Sequence, residues 1–165
     1  MRGSNQGVYA EGKVREFLKL WAEQHAAFCF NRILDAKSAM GAMANPQPGD
    51  FQWFWHTQLT CHVPGYNGTR SYTRNGLIEV KTVKHTHLLP YKNFGADQVG
   101  RMHIRQLAGS EPLVLVCHRP EGGQTLWRAP DFETFQQRDP SRGSWDLSEF
   151  ETTKNVGDIL RSYLS

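Results

Sequence analysis

Cysteine is scarce: the chain has three, Cys29, Cys61 and Cys117, far apart and none in a Cys-x-x-Cys pair. An odd, scattered set argues against a disulfide framework and for free thiols in a reducing compartment. Long apolar runs are missing as well. The longest, around Leu113 to Cys117, has the length of one buried strand and falls short of a membrane span. Met1 to Gly7 carries no apolar run after Arg2, which argues against a secretory signal. Neither sign of charge dominates, since the formal net charge is +3. That balance permits a polyanionic partner without demanding one. No internal repeat or low-complexity segment is found. A soluble, cytoplasmic protein without a membrane association is expected.

What is present is ordinary globular material. A length of 165 residues, with 39% hydrophobic and 21% charged, suits one domain spanning 1–165 with a core of its own. From Tyr9 to Phe28, Val14, Phe17, Leu18, Trp21 and Ala22 recur at helical spacing and predict an amphipathic helix. Phe28 to Leu34 reads as a short strand, and Asn45-Pro46-Gln47-Pro48-Gly49 as a loop. Phe51 to Val63 is rich in aromatic and β-branched residues and predicts a strand, with Phe51, Trp53 and Trp55 on one face. Pro64 to Gly68 predicts a turn, with Asn67-Gly68 as a favoured hairpin pair. Leu77 to Val83 predicts a second strand, with Leu77, Glu79, Lys81 and Val83 on one face and Ile78 and Val80 on the other. A polar loop over Lys84 to Asn93, a helix over Phe94 to Leu107 and a buried strand over Pro112 to His118 follow. The helix stripe holds Val99, Met102, His103 and Gln106 or Leu107. Gln124 to Arg128 is expected to pair with that strand, and Pro130 to Gln137 and Val156 to Leu164 read as short helices. The order α-β-β-β-α-β-β-α predicts an α/β (α+β) domain, a mixed central sheet flanked by helices, with an aromatic-rich hairpin around 51–76.

The triplet acid-x-Lys occurs three times: Glu11-Gly12-Lys13, Asp35-Ala36-Lys37 and Glu79-Val80-Lys81. On a helix, residues two apart point in different directions, so the first does not converge on one site. The second runs from a possible strand into a small-residue loop. Only the third lies within a convincing strand, where the period of two puts Glu79 and Lys81 side by side. A carboxylate there can hold Mg²⁺, and a neighbouring ammonium can orient an attacking water or stabilise a charged transition state. Asp50, which opens the preceding strand after Pro48-Gly49, is the natural second ligand. The plainer alternatives are a surface ion pair for Glu79 and Lys81 and a turn residue for Asp50.

The set Pro48-Gly49-Asp50 with Ile78-Glu79-Val80-Lys81 resembles the PD-(D/E)xK nuclease superfamily. The sequel is Leu89-Pro90-Tyr91-Lys92-Asn93-Phe94, then Asp97-Gln98-Val99, then Leu113 to Val116. It is similar to RecU-type Holliday-junction resolvases, in which a proline-containing loop, a helix bearing Gln and a hydrophobic strand follow the catalytic strand. VRR-type nuclease modules are the second resemblance. Glu11 to His118 is covered. The resemblance implies a restriction-endonuclease-like fold and metal ligation by Asp50, Glu79, the Val80 carbonyl and the first-helix acid Glu11. It makes Lys81 the water-orienting cation and Gln98 a polar group facing the site. Glu11 read alone is equally a solvated acid near a helix N-terminus. The separation of Asp50 and Glu79 is long for the family, and no further acid lies between them.

The activity so implied is Mg²⁺-dependent endonucleolytic cleavage of DNA, with Mn²⁺ substituting, on branched substrates such as four-way junctions. The alternatives are a nicking or restriction-like nuclease on linear duplex and a non-catalytic DNA-binding module of the same fold. Symmetric cutting of a junction needs two sites, so a homodimer is expected. The aromatic hairpin is the candidate for the dimer contact or for insertion into a junction. Candidate DNA contacts are Lys13, Arg70, Arg74, Lys84, Lys92, Arg101 and Arg105, with Arg70 and Arg74 expected at the hairpin tip among Tyr66 and Tyr72. His85-x-His87 and His56 with Cys61-His62 offer imidazoles for zinc, but no second pair arrives at a recognisable spacing.

Overall fold

A computed structural model describes residues 4–33, 49–63, 66–95 and 97–165. The triplet at Asp35, the Pro46 to Pro48 loop and the Pro64-Gly65 link lie outside them. The fold is mixed α and β, as expected. The central sheet is built from β1 Phe28–Arg32, β2 Phe51–Val63, β3 Tyr66–Val83, β5 Glu111–His118 and β6 Leu126–Arg128. These five lie side by side in the order β1-β2-β3-β5-β6. All neighbours are antiparallel except β3 and β5, which run parallel. Antiparallel strands can join through tight turns, but a parallel pair needs a crossover. Here the crossover holds β4 (Leu88–Pro90), a single 3₁₀ turn (Tyr91–Asn93) and α2 (Gln98–Leu107). The short β4 pairs with β7 (Ser144–Asp146) in a separate two-stranded sheet.

Each face of the central sheet is closed by its own apolar layer. On one, α1 (Ser4–Gln24) brings Ala10, Val14, Leu18 and Trp21 onto Phe51, Trp53, Ile78 and Leu115. That spacing of three and four is the buried stripe of an amphipathic helix. The helix α4 (Val156–Leu164) adds Val156, Leu160 and Leu164 to this layer. Asn155 caps it by accepting from the Gly157 N–H at 3.0 Å. On the other face, Met102 of α2 and Phe132 and Phe135 of α3 (Phe132–Gln136) meet Val83, Val114 and Val116. Because both faces are covered, β5 is buried from Leu113 to His118 and shows no alternation. No described helix is long and apolar enough to cross a membrane.

The β2–β3 hairpin keeps register from Phe51↔Ile78 out to Val63↔Tyr66. Strand β1 covers β2 only as far as Trp55, and β5 covers β3 only from Gly76 onward. Outward from His56 and Thr73 the two strands pair, among the described residues, only with each other, a ribbon of about 25 Å at the usual strand rise. Trp55 anchors its base, edge-on to Trp21 and Phe28.

Several expectations are corrected. The first helix begins at Ser4 and ends at Gln24, before the predicted Phe28, because Phe28 is taken by pairing with Trp55. Asn67-Gly68 is strand, opposite His62 and Cys61, since the pairing of Val63 with Tyr66 moves the reversal earlier. The loop over Lys84 to Asn93 contains β4 and the 3₁₀ turn, and the helix predicted from Phe94 starts at Gln98. Phe94 is instead buried between Phe135 and Trp145. His103 and Gln106 do not enter the core: they bond to Gln136 and Glu133 of α3. Leu107 is exposed.

Candidate functional site

The site arises where one strand stops and its neighbour continues. Strand β2 ends at Phe51, opposite Ile78, whereas β3 runs on through Glu79, Val80 and Lys81 to Val83. Beyond Ile78 the β2 side of β3 has no strand partner among the described residues, and Asp50 takes that place. Its N–H donates to the Ile78 carbonyl at 2.9 Å, and its carbonyl accepts from the Ile33 N–H at 2.8 Å. Its carboxylate Oδ2 accepts from the Val80 N–H at 2.7 Å. A side chain thus replaces the missing ladder partner. Since the N–H and C=O of a strand residue point to the same side, the Val80 carbonyl opens beside Asp50. Gly49 permits the approach: a Cβ there would lie 3.2 Å from the Ile78 carbonyl oxygen.

Glu79 is buried, at 3% exposure. One carboxylate oxygen, Oε1, forms an ion pair with Lys81 Nζ. The other, Oε2, is buried without a hydrogen bond among the described residues. Lys81 is also held by Gln98, whose Oε1 accepts from Nζ at 3.1 Å and from the Gly95 N–H at 3.3 Å. The ammonium lies 4.7 Å from the centre of the Phe94 ring, a cation–π contact. Gln98 reaches this position because it opens α2, directly after Asp97, whose φ of 59° turns the chain into the helix. Aspartate is among the few non-glycine residues that visit that region readily.

The electrostatics follow from crowding. Burial, and then the charge of Glu79, push the Asp50 carboxyl from 3.8 up to about 7; the Val80 N–H and Lys81 oppose the shift. Burial likewise raises Glu79, against the pull of Lys81 and the Gln98 amide. The charge of Glu11 raises both, so the first-helix acid is a neighbour of the pair. Its own carboxylate is held by Arg32, with Nη2 to Oε2 at 2.6 Å. Among the described residues no three His, Cys, Asp or Glu side chains form a group that could hold a metal ion. Two carboxylates and a backbone carbonyl are oxygen donors of the kind Mg²⁺ takes.

The expected Asp50, Glu79, Val80, Lys81 and Gln98 therefore come together, with Glu11 at their margin. The expected DNA contacts do not behave as a group. Arg74 is a correction: it pairs with Trp55 near the ribbon base, not at its tip. Its guanidinium grips Glu111 through two bonds of 2.9 and 2.8 Å and donates to the Leu164 and Tyr163 carbonyls. Its donors are spent on tying β3 to β5 and α4. Arg70 pairs with Leu59 partway along the ribbon, and its side chain lies outside the described atoms. Lys84, Lys92 and Arg105 are exposed, Arg101 is half-buried, and Lys13 is exposed but paired with Glu16 at 3.2 Å. His85 contributes its carbonyl, bonded to His118 Nδ1 at 2.6 Å.

Sequence reasoning missed Arg32. Antiparallel register puts it opposite Phe51, next to Asp50. The signal lay in pairing the strand at Phe28 with that at Phe51, a step the separate strand assignments did not take. His118 was missed too: buried at 0% exposure, it pins the loop after β3 to β5, and burial lowers its pKa. No protein-family model matches the chain, and no curated protein does so either.

Proposed function

We propose that this chain is a Mg²⁺-dependent endodeoxyribonuclease of the PD-(D/E)xK kind, hydrolysing phosphodiester bonds in branched DNA such as four-way junctions. The observation that carries the reading is Glu79: a buried carboxylate with one oxygen on Lys81 and the other without a hydrogen bond, beside a second carboxylate driven up to about 7. Two acids pressed together in a poorly solvated place repel each other, and a divalent cation is what relieves both. Asp50 and Glu79, with the Val80 carbonyl, would hold it.

Mg²⁺ bound there would neutralise the carboxylates, polarise the scissile phosphate and sharpen a water as nucleophile. The chain's own groups do the rest. Lys81 faces the same space as Glu79 and keeps its ammonium there through Gln98 and Phe94. Held so, it positions the attacking water and offsets the negative charge that grows on the phosphate oxygens. Gln98 is a positioning residue, because its carbonyl oxygen fixes the lysine. The order of the strand bearing Glu79 and Lys81, a connection containing Pro90, a helix opened by Gln98 and a buried parallel strand supports the RecU-like assignment. Symmetric cutting of a junction would employ a homodimer with two such sites.

The test is incubation of labelled four-way junction, linear duplex and single strand with and without Mg²⁺. Junction cleavage that requires Mg²⁺ and is lost in Glu79→Gln supports the reading. Junction binding without cleavage in any divalent metal defeats it in favour of a binding module. Preferential cutting of linear duplex defeats the junction assignment alone.

A further inference from the structure

Beside Asp50, at the same end of the sheet, a small cleft collects charge that the hydrolytic step does not use. Its volume is about 110 Å³, and Val8, Glu11, Gly12, Arg15, Arg32 and Phe51 line it. The first four fall on one stripe of α1, at the i, i+3, i+4, i+7 spacing. Gly12 leaves the floor open, since a Cβ there would meet nothing within 4 Å. The far wall is fixed by the sheet. Arg32 sits opposite Phe51, and the Ile33 N–H binds the Asp50 carbonyl, so the arginine is anchored one residue from the carboxylate pair.

Two cations meet here, and a single anion serves them. Arg32 donates to Glu11 at 2.6 Å; exposed Arg15 makes no hydrogen bond or ion pair among the described residues. The Arg32 and Glu11 side chains keep 49% and 25% exposure. A half-exposed pair of this sort is weakly held in water, so it exchanges easily. A guanidinium binds phosphate in the same forked manner as carboxylate, and two arginines over one cleft favour the anion with more oxygens and more charge.

We infer that Arg32, assisted by Arg15, is a binding site for a backbone phosphate of the substrate DNA strand, and that Glu11 is the anion holding the place until DNA arrives. The inference rests on the nuclease reading for the identity of the strand. It gives Glu11 a different role from metal ligation. DNA displaces the Glu11 carboxylate from the arginine, and the strand is thereby registered one step from Asp50 and Glu79.

The experiment measures fluorescence anisotropy of a labelled four-way DNA junction in EDTA, where no cleavage occurs, across a series of KCl concentrations. Arg32→Gln is expected to weaken binding about tenfold and to flatten the plot of log affinity against log salt by about 0.9, the value of one phosphate contact. Glu11→Gln is expected to tighten metal-free binding about tenfold, and to do nothing in the Arg32→Gln background. Arg32→Lys keeps a cation without the fork and is expected to retain the salt slope with intermediate affinity. That variant decides the matter if Arg32→Gln folds poorly. Unchanged affinity and slope in the Arg32 variants overturn the inference. So does a Glu11→Gln protein that binds DNA as before and loses Mg²⁺ affinity by calorimetry, because Glu11 is then a metal ligand. Arg32-dependent binding without Mg²⁺-dependent cleavage sinks the nuclease reading and leaves the phosphate site standing. Cleavage with Arg32-independent binding does the reverse.

Discussion

Replacing Asp50 by asparagine is expected to stabilise the metal-free protein at pH 8, and to do so by less than half as much at pH 5. The Asp50 carboxyl moves from 3.8 to about 7 on folding, through burial and then the charge of Glu79. Between those values the native chain holds a proton that the unfolded chain has released, so stability falls as pH rises. At about 1.36 kcal/mol per pH unit, a rise of roughly three units bounds the loss at about 4 kcal/mol. Above pH 7 the penalty is complete; at pH 5 only the first unit or so has accrued, and below 3.8 it is absent. The asparagine side chain keeps an oxygen for the Val80 N–H and carries no charge, so it escapes the penalty. Neutralising position 50 also lets Glu79 ionise more readily, which adds to the benefit at pH 8.

Urea midpoints in EDTA measure this directly, and for a chain of this length the bound corresponds to roughly 8–16 °C in Tm. Excess Mg²⁺ should reverse the ranking at pH 8, because a ligand that binds only the native wild type stabilises it by mass action. The reasoning is refuted if the Asp50→Asn protein is no more stable than wild type at pH 8 in EDTA. It is refuted equally if the gap persists undiminished at pH 5.

Lys81→Met is expected to cut single-turnover junction cleavage by about 10²–10³-fold while junction binding in Ca²⁺ is retained, a split that gel assays of product and complex read separately. Gly76→Ala is expected to cost about 1–3 kcal/mol in urea unfolding, since its Cβ would lie 2.5 Å from both the Glu111 carbonyl oxygen and Trp53 Nε1. Arg74→Gln is expected to cost about 2–3 kcal/mol, because Glu111 and the α4 carbonyls lose charged bonds, with no change in the salt slope of DNA binding.

What the sequence made legible is what local spacing controls. The stripe of Val14, Leu18 and Trp21, the alternation through Phe51 and Trp53, and the helix at Val156 to Leu164 all stand as expected, because each is fixed within a few neighbouring residues. Asp50 and Glu79 were brought together by the same logic, a hairpin laying one strand beside the other. What escaped depends on distant partners. The three-residue strands at Leu88 and Ser144 have no period to detect and exist because they pair with each other. Arg74 looked like a free cation because Glu111 and the α4 carbonyls arrive only in the fold. Arg32 was hidden for the same reason: its neighbour Asp50 comes from across a sheet.

Of the three acid-x-Lys triplets, the fold separates two by physics. In Glu11-Gly12-Lys13 the acid turns to Arg32 and the lysine to Glu16, so the two charges never share a site. In Glu79-Val80-Lys81 they share one pair, and the surroundings withhold water from it. A buried ion pair maintained for stability alone does best when every remaining oxygen finds a donor, since an unmet carboxylate oxygen costs more than the pair returns. Among the described residues Glu79 Oε2 finds none, and its charge repulsion with Asp50 makes the position worse. Hydrophobic residues of similar size would serve this buried position on the central strand better. A cation bound between Asp50 and Glu79, as proposed, would offset both charges, where β3 continues past Ile78 and Asp50 takes the place beside it.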